Sequence, residues 1–461
     1  MAYKDTQGLS CFLSYDVRGE VGINIDENIV YRIARSICEH FKAKHVVIGY
    51  DARKSSPAFA KSATKAAIDS GTNVIDIGLA GTEEVYWAVT QFSADAGIEI
   101  TASHNPINFN GLKFVKEGSQ PLDKQQDFLK IKRMSKNQSW KSTNKKGTVL
   151  NYSGLARELY IKKISTFVSP KLFKPLKIVV NCGNGAAGPT LDALIENLSQ
   201  ENFGKNLIKL FDKPDHNFPN GIPNPLIPEN RAVTSEAILK YSADFGVAFD
   251  GDFDRCFFFD EKGRFIPGEY IVGLIAKIFL RREKGASIIF DPRVVFYIKN
   301  IIENNNGQPI ISKTGHSHIK KKMREADAIY GGEMSAHHYF RDFSFCDSGM
   351  IPFLLITEFL SLSKNSLGQT VEELFKKFPS SGEHNFSVSN PEKAILAVTT
   401  YFSDATIDQT DGWSFLFPTW SFNIRKSNTE PLVRLNVESY GDCKLVQEKL
   451  ELITELILGA K

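Results

Sequence analysis

His45-Val46-Val47-Ile48-Gly49-Tyr50-Asp51 is a short apolar, β-branched run that ends on a polar turn-former and is followed by a helical pattern. The theme returns at Lys177-Ile178-Val179-Val180-Asn181, at Phe245-Gly246-Val247-Ala248-Phe249-Asp250 and at Ser287-Ile288-Ile289-Phe290-Asp291. A strand that is apolar at nearly every position needs cover on both faces, and intervening helices supply it, so the pattern predicts α/β units. In such units the loops at strand ends are where function gathers. The last segment has a different texture. Strand-like runs at 413–417 and 432–438 precede a helix with Asp442 as N-cap and Val446, Leu450, Ile453 and Ile457 at helical spacing. That predicts a small α+β unit.

A chain of 461 residues exceeds one hydrophobic core, and about three or four domains are expected. Residues 130–146 are basic and polar and read as a linker or surface excursion, with further breaks near 254–260 and 361–382. The expected domains are 1–150, 151–255, 256–370 and 371–461. An apolar fraction of 42% with 24% charged residues is that of a soluble globular protein, and a net charge of +3 gives no warrant for nucleic-acid or membrane partners. The six cysteines, Cys11, Cys38, Cys182, Cys256, Cys346 and Cys443, form no Cys-x-x-Cys pair, which argues for reduced thiols in a cytoplasmic protein. The start, Met1-Ala2-Tyr3-Lys4-Asp5, lacks the pattern of a signal peptide. The apolar stretches at 270–280 and 350–362 are too short for a membrane helix and are interrupted by Lys277 and Glu358.

Two motifs carry the chemistry. Thr101-Ala102-Ser103-His104-Asn105-Pro106 places a hydroxyl beside an imidazole on a turn that Pro106 keeps from becoming helix, with Lys113 close enough in sequence to return to it. His104 or Lys113 could exchange a proton with a sugar hydroxyl at phosphorus, while a plain structural turn stays open on the residues alone. Asp250-Gly251-Asp252-Phe253-Asp254-Arg255 offers carboxylates at alternate positions, which an extended backbone would send to one side. Three such anions repel, and a hard cation resolves the repulsion, with Mg²⁺ preferred because phosphate completes its octahedron. An EF-hand loop is the rival, but Arg255 stands where its sharp turn needs Gly, and Cys256-Phe257-Phe258-Phe259 continues as a strand.

Gly183-Asn184-Gly185-Ala186-Ala187-Gly188 satisfies the dinucleotide-binding pattern, yet the acidic residue that should end the next strand, Asp212, comes late. Tight strand-to-helix packing explains these glycines better. Gly331-Gly332-Glu333-Met334-Ser335-Ala336-His337-His338 mixes donors and acceptors suited to sugar hydroxyls, with a zinc site as the alternative, and Lys313-Thr314-Gly315-His316 is a weaker version. Arg425-Lys426-Ser427-Asn428-Thr429-Glu430-Pro431 combines a guanidinium, hydroxyls and an amide fit for phosphate, and also fits a surface turn.

Together with Tyr15-Asp16-Val17-Arg18-Gly19, Asp51-Ala52-Arg53-Lys54-Ser55-Ser56 and Asn217-Phe218-Pro219-Asn220-Gly221, these stretches in this order resemble the α-D-phosphohexomutase superfamily, most closely its bacterial phosphomannomutase branch. The resemblance spans nearly the whole chain. It implies three related α/β domains with mixed sheets and a smaller C-terminal α+β domain around a central cleft. It implies that Ser103 is phosphorylated and that its phosphate joins Asp250, Asp252 and Asp254 around Mg²⁺, with Arg18, His104 and Lys113 near the transferring group. Glu333, Ser335 and His337 match the sugar-recognition loop. Arg425, Ser427, Asn428 and Thr429 match the anchor for the other phosphate, and Tyr15, Arg255, Gly315 and His316 match lesser substrate contacts. Many members carry Lys where this chain has Arg293, which keeps the charge and changes the shape of a substrate-binding position. The implied reaction interconverts mannose 6-phosphate and mannose 1-phosphate through a bound hexose 1,6-bisphosphate and supplies GDP-mannose, in a monomer or homodimer. Dual use of glucose phosphates and a sugar phosphatase are the alternatives.

Overall fold

A computed structural model describes residues 9–426 and 432–459. The chain divides into two compact units, Met1–Phe265 with Asp342–Ser363, and Ile266–Arg341 with Lys364–Lys461.

The first unit contains a sheet in the spatial order Val17–Glu20, Phe109–Lys116, Ala96–Ile100, His45–Tyr50, Asn73–Leu79, Val149–Asn151. His45–Tyr50 runs parallel to both its neighbours, whereas Phe109–Lys116 is antiparallel to both of its own, so the sheet is mixed. One face is covered by helix Glu27–Phe41, which begins where Asp26 Oδ1 accepts the Ile29 amide at 2.8 Å. Its Ile29, Ile33 and Ile37 follow one another at a turn's spacing and pack with Phe59, Ala63, Ile48 and Ile98. Each such buried side chain contributes about 1.5–3 kcal/mol.

A second sheet in the same unit includes, in order, Cys256–Phe259, Phe245–Phe249, Ile178–Asn181 and Leu207–Leu210. Phe245–Phe249 is parallel to Ile178–Asn181 and antiparallel to Cys256–Phe259, with Phe249 opposite Cys256. Residues 250–255 are thus the loop of a hairpin. The expected division between 255 and 256 falls inside this sheet and the one between 150 and 151 cuts a strand of the first, because each strand finds its partner across the supposed break. Nor is 130–146 merely a linker. Helix Leu129–Asn137 buries Ile131, and Arg32 donates to the carbonyls of Ser135 and Lys136 at 2.8 and 3.0 Å. The glycine-rich turn is a packing device: a Cβ on Gly188 would stand 1.7 Å from the Asp212 carbonyl oxygen.

The second unit contains strands in the order Gln308–Ile311, Ser287–Phe290, Tyr330–Gly332, His338–Phe340, the first three parallel and the last antiparallel. Its other sheet is antiparallel, Ser380–Ser387, Leu432–Ser439, Trp420–Lys426, Trp413–Leu416, Thr406–Asp408, and packs on helices Pro391–Tyr401 and Cys443–Gly459. The Leu445 amide bonds Asp442 Oδ1 at 3.0 Å, as the N-cap reading requires. Residues 361–382 include helix Leu367–Lys377, closed at its start by a reciprocal Ser366–Gln369 capping box. Among the described residues no helix is long and apolar enough to cross a membrane.

Glu438 joins the two parts of this unit. Its carboxylate accepts the Val295 and Phe296 amides at 2.7 and 3.1 Å, at the N-terminus of helix Phe296–Asn304, and the Ser421 hydroxyl at 2.7 Å. Burial nevertheless outweighs these bonds and pushes its carboxyl up from 4.5 to about 7. The folded form therefore holds this proton more tightly than the unfolded one. Its contribution to stability is complete below about pH 4.5 and is lost as the pH rises through about 7, a difference on the order of 3 kcal/mol. Glu438→Gln keeps an acceptor and removes the titration, so thermal unfolding of this variant should vary less between pH 5 and 8 than that of the wild type.

Candidate active site

In the first unit the nucleophile candidate and the acidic loop meet. Ser103 lies on the turn between Ala96–Ile100 and Phe109–Lys116, and its backbone is left-handed at φ 50°. Its Oγ is 3.0 Å from Asp250 Oδ2 and 3.1 Å from His104 Nδ1. The acidic loop does not reach this arrangement through the extended backbone the spacing suggests. The Phe253 amide folds back to the Asp250 carbonyl at 3.2 Å and Phe253 takes φ 44°, so the three carboxylates converge by a tight turn. Gly251 permits the approach, because a Cβ there would stand 2.7 Å from the Ser103 carbonyl oxygen.

Asp250, Asp252 and Asp254 are 0%, 0% and 2% exposed, with one oxygen from each within 4.8 Å of the others. Lys113 Nζ donates to Asp252 Oδ2 at 2.6 Å and Asp254 Oδ2 at 2.5 Å. Burial alone would lower the Lys113 ammonium, but these carboxylates outweigh it and raise it. Asp254 is pushed well up by burial and then by Asp252, whereas Asp252, against its own burial, is held down by Lys113. Arg255 closes a fork on Asp250, with Nε at 3.0 Å and Nη2 at 2.7 Å. The same Nη2 donates to His104 Nδ1, which fixes that nitrogen as an acceptor. Burial, then Arg255 and Arg18, drive the His104 imidazole well below its usual range. Arg18 is steered by Asp16 at 2.9 Å and by Asn105 Oδ1 at 2.5 Å, and Tyr15 is half-buried on the turn just before.

The acidic trio suits a divalent cation. Its donors are all oxygen, and Asp252 Oδ1 is buried with no hydrogen-bond partner, an atom that water or a hard ion must satisfy. Thr82 was not anticipated: its hydroxyl donates to Asp252 Oδ2 at 2.5 Å and its amide to the Asp252 carbonyl at 3.2 Å, so a helix of the first module holds the loop of the second.

In the second unit, Glu333 is 1% exposed and accepts the Gly315 amide at 2.8 Å and the Tyr339 hydroxyl at 2.6 Å. Ser335 Oγ and His337 Nδ1 are 3.0 Å apart, and His316 opens helix His316–Glu325 directly after Gly315. Arg293 closes its fork on Asp291 at 2.9 and 2.7 Å. Three guanidiniums converge on Glu383: Arg425 at 2.9 Å, Arg434 at 3.2 Å and Arg293 at 3.5 Å. Burial and then the Arg293 charge lower Arg425, and its Nε is buried without a hydrogen-bond partner. Ser427, Asn428 and Thr429 lie outside the described residues. Glu383, Arg434 and Asp291 went unassigned in the sequence. Arg434 was findable, since Arg425 and Arg434 are cross-strand partners on two alternating strands.

Family models for phosphoglucomutase/phosphomannomutase match residues 10–141 as alpha/beta/alpha domain I, 158–263 as domain II, 267–378 as domain III and 383–455 as the C-terminal domain. The chain belongs to the phosphoglucomutase/phosphomannomutase family. The phosphomannomutase of Salmonella montevideo is 47% identical over 453 residues, covering 97% of this chain and 99% of that protein. That of Escherichia coli K12 is 46% identical with the same coverage. Among solved structures, a phosphoglucomutase/phosphomannomutase family protein from Burkholderia thailandensis superposes with a TM-score of 0.84 at 28% identity, over 97% of this chain and 98% of that one. Within the family fold, Gly251→Ala would drive the acidic loop off the Ser103 carbonyl. Mutase turnover should fall about 100-fold, the scale of an ångström-sized misplacement, and the thermal midpoint should drop as well, because the clash is with main chain.

Proposed function

We propose that the protein is a cytoplasmic phosphomannomutase that interconverts mannose 6-phosphate and mannose 1-phosphate and so supplies GDP-mannose synthesis. The observation that carries this reading is the placement of Ser103 Oγ, 3.0 Å from Asp250 and 3.1 Å from the His104 nitrogen, beside a buried trio of aspartates.

The cycle starts with phosphoserine at 103. A P–O bond forms to the free hydroxyl of mannose 6-phosphate as the bond to Ser103 Oγ breaks, which yields mannose 1,6-bisphosphate. After the bisphosphate turns around, Ser103 Oγ attacks the other phosphorus, recovers the phosphoryl group and releases mannose 1-phosphate. Mg²⁺ held by Asp250, Asp252, Asp254 and the Ser103 phosphate would screen the charge on the transferring group. Lys113 and Arg18 donate protons in hydrogen bonds to the phosphoryl oxygens; Lys113 already does so to two carboxylates, and it serves as a charge stabiliser. The Ser103 hydroxyl donates to Asp250 Oδ2 and its proton passes to the departing sugar oxygen as Oγ attacks, while His104 Nδ1, already engaged by Arg255, flanks the same hydroxyl at 3.1 Å. Arg255 orients that ring through the same nitrogen.

Glu333, Ser335 and His337 recognise sugar hydroxyls, with Glu333 held by Gly315 and Tyr339 as an acceptor. Arg425 grips the phosphate that is not being transferred, helped by Ser427, Asn428 and Thr429. Support for an anion there comes from Glu383, a carboxylate already clasped by Arg425 and Arg434. Tyr15, His316 and Arg293 complete the substrate contacts.

Ser103→Ala should abolish isomerisation of mannose 1-phosphate primed with glucose 1,6-bisphosphate, and should no longer take up label from a ³²P-bisphosphate; continued turnover would rule out the covalent route. Arg425→Gln removes a charged contact of about 1.5–3 kcal/mol, so KM should rise about 10- to 100-fold with kcat less affected. Chelation by EDTA should stop turnover, and added Mg²⁺ should restore it.

A further inference from the structure

We propose that Arg53 and Thr101 are positioning residues that clamp the main chain of Ser103 from its two sides and thereby set where its Oγ points. The proposal rests on the reading of Ser103 as the nucleophile.

Arg53 is 2% exposed and reaches no solvent-facing group of the site. Its guanidinium is spent on the turn itself. Nη2 donates to the carbonyls of Ser103 at 2.8 Å and Asn105 at 2.6 Å, and Nη1 to those of Pro106 at 2.8 Å and Phe109 at 2.9 Å. Main-chain carbonyls that converge on one point repel through their negative ends, and a flat cation with several fixed donors is what holds them together. The Phe218 ring lies 6.0 Å from the guanidinium carbon.

The opposite side of Ser103 is held as well. Its amide donates to Thr101 Oγ1 at 2.8 Å, and that hydroxyl donates to Asp51 Oδ2 at 2.7 Å. Asp51 is itself fixed by the Arg53 amide at 2.9 Å and the Ser56 hydroxyl at 2.6 Å. Both the N–H and the C=O of Ser103 are therefore tied to the end of strand His45–Tyr50 and the start of helix Ser56–Asp69. Only rotation about its Cα–Cβ bond remains free. The clamp is needed because Ser103 occupies a left-handed conformation, φ 50°, that a serine leaves if released.

A lysine in place of Arg53 keeps the charge and cannot span four carbonyls from one plane. Arg53→Lys should lower kcat, and the rate of Ser103 phosphorylation by hexose 1,6-bisphosphate, about 100-fold. KM for mannose 1-phosphate should stay within about twofold, since the groups assigned to sugar and distal phosphate are untouched. Rates are normalised to the folded fraction from circular dichroism. If Arg53→Lys does not fold, Thr101→Val tests the other jaw and leaves the Arg53 contacts to the turn carbonyls in place: it should lower the phosphorylation rate about 10-fold or more, and Thr101→Ser, which keeps the hydroxyl, should restore it. Folded Arg53→Lys or Thr101→Val with wild-type kcat and phosphorylation rate would overturn the proposal. Ser103→Ala separates the two readings. If it retains turnover, the nucleophile assignment fails; if it is dead while the clamp variants are normal, only the clamp fails.

Discussion

Three carboxylates from one short loop are buried together, and cations of the first unit reach in to meet their charge. The two nearest come from different places. Arg255 belongs to the loop itself, whereas Lys113 is delivered by strand Phe109–Lys116 of the other sheet. Thr82 adds a third tie from helix Thr82–Gln91. The loop of one α/β module is thus neutralised by the strand and helix of its neighbour, and the electrostatics that make the site usable also join the two modules. Glu83 makes a similar link at the next position, where its buried carboxylate accepts the Gly349 and Met350 amides at the head of helix Met350–Leu362.

The second unit solves a related problem with the signs exchanged. Arg425 and Arg434 stand directly opposite each other on neighbouring strands, an arrangement that repels. Glu383 from the adjoining strand takes one donor from each. Arg293, committed to Asp291 through a two-pronged contact, approaches the same carboxylate more loosely. The shape of the guanidinium matters there: Asp291 also accepts the Met334 amide, so the fork braces the loop that carries Glu333 and Ser335.

Much of this was legible in the chain. The apolar runs at His45–Tyr50, Ile178–Asn181, Phe245–Phe249 and Ser287–Phe290 are strands, because continuous β-branched burial leaves few other options, and Asp442 begins the last helix. The Ser103 turn and the Asp250 loop were visible as motifs. Less visible was how they are built. Alternation predicted the convergence of the aspartates correctly but by the wrong backbone, since Phe253 turns where an extended chain was expected. The boundary after Arg255 failed because a polar loop inside a hairpin looks like a linker until its second strand is paired. Basic composition hid helix Leu129–Asn137, whose one deeply buried apolar side chain, Ile131, gives a faint periodic signal. Arg53, Thr82 and Glu383 act through partners far away in sequence, and spacing carries no record of those.

The left-handed backbone at Ser103 has a further consequence for how this chain tolerates change. A residue without a side chain adopts φ 50° freely, whereas serine is strained there by about 1 kcal/mol. The fold would be steadier with glycine at the position proposed for the nucleophile. If Ser103 is the nucleophile, as proposed, robustness and reactivity pull this one position in opposite directions.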